Sequence, residues 1–122
     1  MPSMNLIVLR TATVEAMLTF YGALGLVFVQ EQHGTGPIHY STALGDVTLE
    51  IFPAEAGQAL DRKAGGATMI GIRVESVDAI IESLQKMSIQ PLSPAKDSAW
   101  GRRATVLDPD GRLIELTEPK LS

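Results

Sequence analysis

The sequence predicts an α+β fold made of two βαβββ modules, and three observations carry that prediction. Residues 7–18, IVLRTATVEAML, return 63 positions later as residues 70–81, IGIRVESVDAII, with Ile7/Ile70, Arg10/Arg73, Val14/Val77 and Ala16/Ala79 identical. A repeat of this kind implies two copies of one supersecondary unit. The far ends of the copies also correspond, Thr48-Leu49-Glu50-Ile51 against Leu113-Ile114-Glu115-Leu116 at an offset of 65. Finally, each copy reads as a strand, a helix with one apolar face, and then three short strands separated by turn signals.

In the first copy, Leu6 to Arg10 has the apolar bias of a strand, and Thr13 stands as an N-cap two residues before the acidic Glu15. Val14, Met17, Leu18 and Tyr21 then follow the i, i+3, i+4, i+7 spacing of a buried helix face, which runs toward Leu24 with Gly25 at its C-terminal cap. Strands are expected near 26–31, 37–44 and 47–52. Gly45-Asp46 forms a two-residue hairpin turn between the last two. Residues 53–67, PAEAGQALDRKAGGA, are small, polar and glycine-rich without sustained periodicity, and read as a linker or a loosely ordered lid.

The second copy opens with a strand from Met69 to Val74, and Ser76 caps a helix carrying Val77, Ile80, Ile81 and Leu84. Pro91 and Pro94 end a strand near 89–93. Asp108-Pro109-Asp110-Gly111 is a type I turn signal joining strands near 102–107 and 112–117. The chain of 122 residues is therefore read as one domain, with module one at about 4–52 and module two at about 68–118.

Composition narrows the function classes. Apolar residues make up 45% of the chain, as in an ordinary globular core. No run approaches the roughly 18 apolar residues that span a bilayer, and the start MPSMNLIVLR lacks signal-peptide order, so no membrane association and a cytoplasmic location are expected. The absence of cysteine excludes disulfides, thiolate metal sites and cysteine nucleophiles. A net charge of −4 argues against nucleic acid as a partner and slightly favours a cationic ligand. There is no Walker loop, dinucleotide fingerprint or serine nucleophile motif.

Candidate site residues follow from strand alternation. In Val47 to Ile51, the residues Val47, Leu49 and Ile51 point toward the helix, which leaves Thr48 and Glu50 on the opposite, concave face. Closing the hairpin at Gly45-Asp46 pairs Ala43 with Thr48, Ser41 with Glu50 and His39 with Phe52. His39 and Ser41 thus share the face of Glu50, with His39 a diagonal neighbour at roughly 7 to 8 Å between backbones. Tyr40 belongs with Ile51 under the helix. The repeat gives Glu115 the place of Glu50, and a pseudo-two-fold axis would bring both carboxylates to one cleft. Two facing carboxylates would titrate as a coupled proton donor and acceptor; the competing reading is that each is solvated or paired with Arg102, Arg103 or Arg112. Alternation sends one of Arg102 and Arg103 inward, and pairing through the Asp108 to Gly111 turn favours Arg102. Trp100 is available to stack on a flat ligand. His33, in the turn at Gly34-Thr35-Gly36, is expected to face solvent.

Three stretches carry a resemblance. Phe20-Tyr21-Gly22-Ala23-Leu24-Gly25-Leu26 follows the first strand, Gly45-Asp46-Val47-Thr48-Leu49-Glu50 closes the first half, and Trp100-Gly101-Arg102-Arg103 runs to Asp108-Pro109-Asp110-Gly111-Arg112-Leu113-Ile114-Glu115-Leu116. In order and spacing the chain resembles the vicinal oxygen chelate superfamily, which includes glyoxalase I, bleomycin resistance proteins and extradiol dioxygenases. The resemblance implies a curved mixed sheet with helices outside, and a homodimer whose cup forms within one chain or between two. In metal-dependent members it implies ligands at Leu6, Glu50, Met69 and Glu115, with histidine or glutamine at the first and third. Here those two are leucine and methionine. Leucine offers no donor and a thioether is soft, so no cofactor is expected. The lead expectation is a small-molecule-binding protein of the bleomycin-resistance kind, with Glu50, Glu115, His39, Ser41, Thr48, Trp100, Arg102, Leu6 and Met69 around the ligand. The alternative is a divalent-metal lyase, isomerase or dioxygenase that uses Glu50, Glu115 and His39 as ligands. A third reading is an interaction module whose faces are filled by side chains.

Overall fold

The structure is a computed structural model and describes residues 1–55 and 68–120. Its elements are β1 (Leu6–Thr11), α1 (Val14–Ala23), β2 (Val29–Glu31), β3 (His39–Leu44), β4 (Val47–Pro53), β5 (Met69–Arg73), α2 (Val77–Lys86), β6 (Ser93–Ser98), β7 (Gly101–Leu107) and β8 (Leu113–Pro119). Both halves run β-α-β-β-β, as the repeat predicts. The strands form two four-stranded sheets, ordered β1-β4-β3-β2 and β5-β8-β7-β6. In each, the first strand lies parallel to the last while the other pairs are antiparallel. The sequence offsets reappear in the ladders: Val8 pairs with Glu50, and Gly71, 63 positions on, pairs with Glu115. Most of the stretch 53–67, read as a linker, lies outside the described residues.

Each helix covers one face of its sheet. Met17, Phe20 and Tyr21 of α1 are fully buried, as are Ile51 and, nearly so, Leu49 beneath it; α2 buries Val77 and Leu84 near Val106, Ile114 and Leu116. Each such side chain contributes about 1.5–3 kcal/mol from burial. The two halves share one apolar core, and an open pocket of about 200 Å³ between them is bordered by Met4, Ile7, Leu9, Tyr21, Ile70 and Gly71. Tyr40 pairs with Ile51 under the helix, as alternation requires.

The helix ends repeat as well. Ser76 accepts a bond from the Ala79 amide at 3.1 Å and caps α2 as expected. Thr13 makes no capping bond; its own amide donates to the Thr11 hydroxyl and its hydroxyl reaches Asp110 instead. At the C-termini, Gly25 and Ser88 occupy matching places with φ of 101° and 64°. Leu26 donates to the Tyr21 carbonyl and Ile89 to that of Leu84, so both helices close by the same left-handed cap. Ser88 has a Cβ that this conformation disfavours. Replacing it by glycine is expected to stabilise the fold by about 1 kcal/mol, measured by urea unfolding.

Two local features depart from the sequence reading, both for reasons of backbone chemistry. The strand placed near 89–93 lies instead at Ser93–Ser98 and includes Pro94. Proline survives there because β6 is an edge strand with a register shift between Ser93 and Lys96. The second departure is at the last hairpin. Gly45 (φ 60°) and Asp46 make the expected two-residue turn, whereas the β7–β8 connection holds one more residue. Gly111 amide donates to the Asp108 carbonyl, Asp108 amide donates to the Arg112 carbonyl, and Gly111 takes φ of 88°. This is a type I turn followed by a glycine bulge, so Leu107 pairs with Leu113 rather than Arg112.

Candidate functional site

Most of the candidate site residues lie on the faces turned away from the helices. On the first sheet, ladder register puts Leu6, Val8 and Arg10 of β1 beside Thr48, Glu50 and Phe52 of β4, with His39, Ser41 and Ala43 of β3 next and Val29 and Glu31 of β2 at the edge. Ser41 pairs with Glu50 and Ala43 with Thr48, as the hairpin predicts. On the second sheet the same face carries Met69, Gly71 and Arg73, then Leu113, Glu115 and Thr117, then Arg103 and Thr105.

His39 is the best-buried polar side chain of this face, at 2% exposure. Its ring stacks on Phe52, with centroids 4.1 Å apart and planes 7° from parallel, and Arg10 lies over Phe52 at 5.4 Å. The Nδ1 of His39 is 3.2 Å from the Pro37 carbonyl, and its Nε2 lies 3.5 Å from Glu31 and 3.7 Å from Glu50. Glu115 is approached by Arg103 at 3.5 Å and by the Thr117 hydroxyl. Because Ser41 faces Glu50 and Thr105 faces Glu115, His39 and Arg103 occupy equivalent places. Each carboxylate thus has a nitrogen-bearing side chain of its own sheet diagonally beside it, an imidazole in one case and a guanidinium in the other.

The extra turn residue corrects the expectation for Arg102. A one-residue change of register moves a whole strand to the other side. Arg102 therefore pairs with Glu118 on the helix-covered side, in line with Ala104 and Val106, and Arg103 faces the way Glu115 does. Arg102 Nε donates to Asp78 at 3.0 Å and its Nη1 to Asp97 at 3.1 Å. These two carboxylates hold its guanidinium pKa above the ordinary value. Glu118 on that side accepts from the Val77 amide, so it and Ser76 both satisfy the start of α2.

Leu6 and Met69 are about half exposed, at 48% and 53%, beside Thr48 and Leu113 respectively. Trp100 is 73% exposed at the β6–β7 turn. A residue that sequence reasoning passed over is Glu31, whose pairing with His39 needed the β2 register. Phe52 and Arg10 were also unassigned, although Arg10 belongs to an identical pair in the repeat. His33 is exposed as expected, yet its ring lies 5.1 Å from that of His39.

A further polar cluster ties the two halves together. Tyr21 of α1 donates to Asp108 at 2.7 Å, and Arg112 reaches Asp108, Asp110 and the Arg10 carbonyl. Burial, then the adjacent Asp108 carboxylate, push the Tyr21 phenol far above its usual range.

A sequence model of the glyoxalase/bleomycin resistance protein/dioxygenase superfamily matches residues 3–116. The chain belongs to that superfamily. Solved structures agree on the fold. TnmS3, an antibiotic-binding protein from Streptomyces sp. CB03234, shares 24% identity with a TM-score of 0.73, covering 98% of each chain. A glyoxalase/bleomycin resistance protein from the same organism shares 24% identity with a TM-score of 0.71, covering 95% of this chain and all of that one. A glyoxylase/bleomycin resistance protein/dioxygenase domain from Frankia sp. EAN1pec reaches a TM-score of 0.76 at 13% identity, over 98% and 99% of the two chains. No curated protein matches the sequence.

Proposed function

We propose that this chain binds and sequesters a small molecule on its helix-free faces, without the divalent ion at the superfamily's usual position. The observation that carries this reading is the pair Leu6 and Met69. They place half-exposed apolar side chains where a metal-dependent member needs nitrogen or amide donors, and so extend a ligand wall instead of a coordination sphere. We assign to the same ligand surface the polar and aromatic groups these faces carry. Phe52 with Arg10 and His39 offers a flat surface, Ser41 and Thr48 offer hydroxyls, and Glu50 and Glu115 offer anionic acceptors. Pockets of this composition hold flat, polar-edged and partly cationic ligands. The antibiotic-binding character of TnmS3 supports the same reading.

In this reading Glu50 and Glu115 act as hydrogen-bond acceptors toward the ligand, with His39 at 3.7 Å and Arg103 at 3.5 Å as their neighbours, rather than as an acid–base pair. We further propose one cytoplasmic domain of two modules, about 4–52 and 68–118, joined by 53–67, that works as a homodimer. Half-exposed Leu6, Val29 and Met69 are the surface such a dimer would cover. No helix among the described residues is long and apolar enough to cross a membrane.

Isothermal titration with a panel of flat aromatic cations, metal-free bleomycin included, tests the reading in the presence of EDTA. Binding is expected to persist in EDTA and to weaken about tenfold or more in Leu6→Lys and Glu50→Lys, which place a positive charge against the cationic ligand. The rival is a lyase, isomerase or dioxygenase. Turnover that requires added Ni²⁺, Mn²⁺ or Fe²⁺ and disappears in Glu115→Gln would replace the sequestration reading with that one.

A further inference from the structure

Glu31, His33 and His39 bring one donor atom each to within 4.8 Å of one another. The three come from different places. Glu31 ends β2, His39 begins β3 directly opposite it, and His33 lies in the connection between them. That connection is folded back by its own bonds: Gly36 amide donates to the His33 carbonyl at 3.0 Å, and the Gln32 side-chain amide donates to the Gly36 carbonyl at 2.9 Å. A β-carbon on Gly36 would stand 3.0 Å from that same His33 carbonyl, so the turn that delivers His33 to His39 suits glycine.

The state of the His39 ring is set by its neighbours. A carbonyl oxygen only accepts, so the 3.2 Å contact with Pro37 requires the proton on Nδ1. This leaves Nε2 as the ring atom that faces two carboxylates, Glu31 at 3.5 Å and Glu50 at 3.7 Å. The three atoms converge on one point but lie farther apart than ordinary hydrogen bonds of about 2.7–3.2 Å. Such separations are those of donors around a shared cation: bonds of about 2.0–2.2 Å at tetrahedral angles set ligand atoms about 3.4 Å apart. An Nδ1–H bonded to a backbone carbonyl is likewise the outer contact that orients a metal-binding imidazole.

We propose that Glu31, His33 and His39 form a binding site for a borderline divalent ion such as Zn²⁺ or Ni²⁺, with Glu50 able to join as a fourth donor. Two imidazoles and a carboxylate favour these ions over Mg²⁺ or Ca²⁺, which prefer all-oxygen surroundings. The site lies two strands away from Leu6, at the edge of the first sheet. Bound there, the ion would pin the β2–β3 connection to the sheet. The inference rests on side-chain geometry alone and stands independently of the sequestration reading.

Titration of the metal-free full chain with Zn²⁺ by calorimetry, and with Cu²⁺ by electron paramagnetic resonance, tests it. One equivalent of Zn²⁺ is expected to bind and to raise the melting temperature, while Mg²⁺ does neither. His33 is exposed, so His33→Ala should keep the metal-free stability and lose about tenfold or more in Zn²⁺ affinity, as should Glu31→Gln. Cu²⁺ should show two coupled imidazole nitrogens in the parent and one in His33→Ala. Glu115→Gln should bind as the parent does. Absence of stoichiometric Zn²⁺ and Ni²⁺ binding, full affinity in His33→Ala, or loss of binding in Glu115→Gln would each overturn the proposal.

Discussion

Asp108→Ala is expected to remove about 3–5 kcal/mol of stability, a large share of what a domain of this size has. Asp108 is 4% exposed, and its two oxygens serve four partners. Oδ1 accepts from the Asp110 and Arg112 amides, both at 2.9 Å, and so builds the β7–β8 turn. Oδ2 accepts from Tyr21 at 2.7 Å and lies 3.3 Å from the Arg112 guanidinium. Alanine leaves a buried phenol without its acceptor and an arginine short of a counter-charge. Because Arg112 also holds the Arg10 carbonyl, the damage spreads from the second half to β1 of the first. Chemical denaturation should show the loss, with the melting temperature down by about 10 °C or more. Asp108→Asn keeps an oxygen for the turn amides but not the charge, and should lose less, about 1.5–3 kcal/mol.

Gly101→Ala should be comparably damaging, for a reason of space and backbone rather than charge. Gly101 is buried at the start of β7 with φ of 120°, a conformation nearly closed to other residues. A β-carbon there would drive into the Glu118 carbonyl oxygen on β8, which is backbone and has no side-chain freedom with which to retreat. The expected loss is about 3 kcal/mol or more. Gly22→Ala is the matched control. Nothing lies within 4 Å of the new carbon and the site is helical, so that variant should gain about 0.5–1 kcal/mol. Trp100 is the chain's single tryptophan and sits next to Gly101, and the Ser98 hydroxyl bonds both the Trp100 amide and the Gly101 carbonyl. Its emission should change in Gly101→Ala and stay as it is in Gly22→Ala.

The succession of elements along the chain, the helix positions and the register of the first hairpin were legible because they depend on short-range rules. Repetition announced the topology, and a two-residue turn at Gly45-Asp46 fixed the pairing of Ser41 with Glu50 through alternation alone. The same rule misassigned Arg102. Asp108-Pro109-Asp110-Gly111 names a type I turn correctly, but the bulge that follows it depends on Gly111 taking a positive φ, and the letters do not count that residue into or out of the ladder. Thr13 failed as a cap because Thr11 and Asp110 compete for its polar atoms, and Asp110 is 97 residues away. Glu31 and His33 could not be joined to His39 from sequence. Their meeting requires the path of the β2–β3 connection, which local bonds among Gln32, His33 and Gly36 determine.

The outer borders of the two sheets carry a consequence for assembly. β2 is three residues long, and β6 is interrupted by Pro94 and a slipped register. Neither margin presents an unbroken row of amides and carbonyls for another chain to extend. Sideways growth into ribbons from β2 or β6 is thereby discouraged, which leaves broad faces such as those holding Leu6, Val29 and Met69 for contact with other molecules.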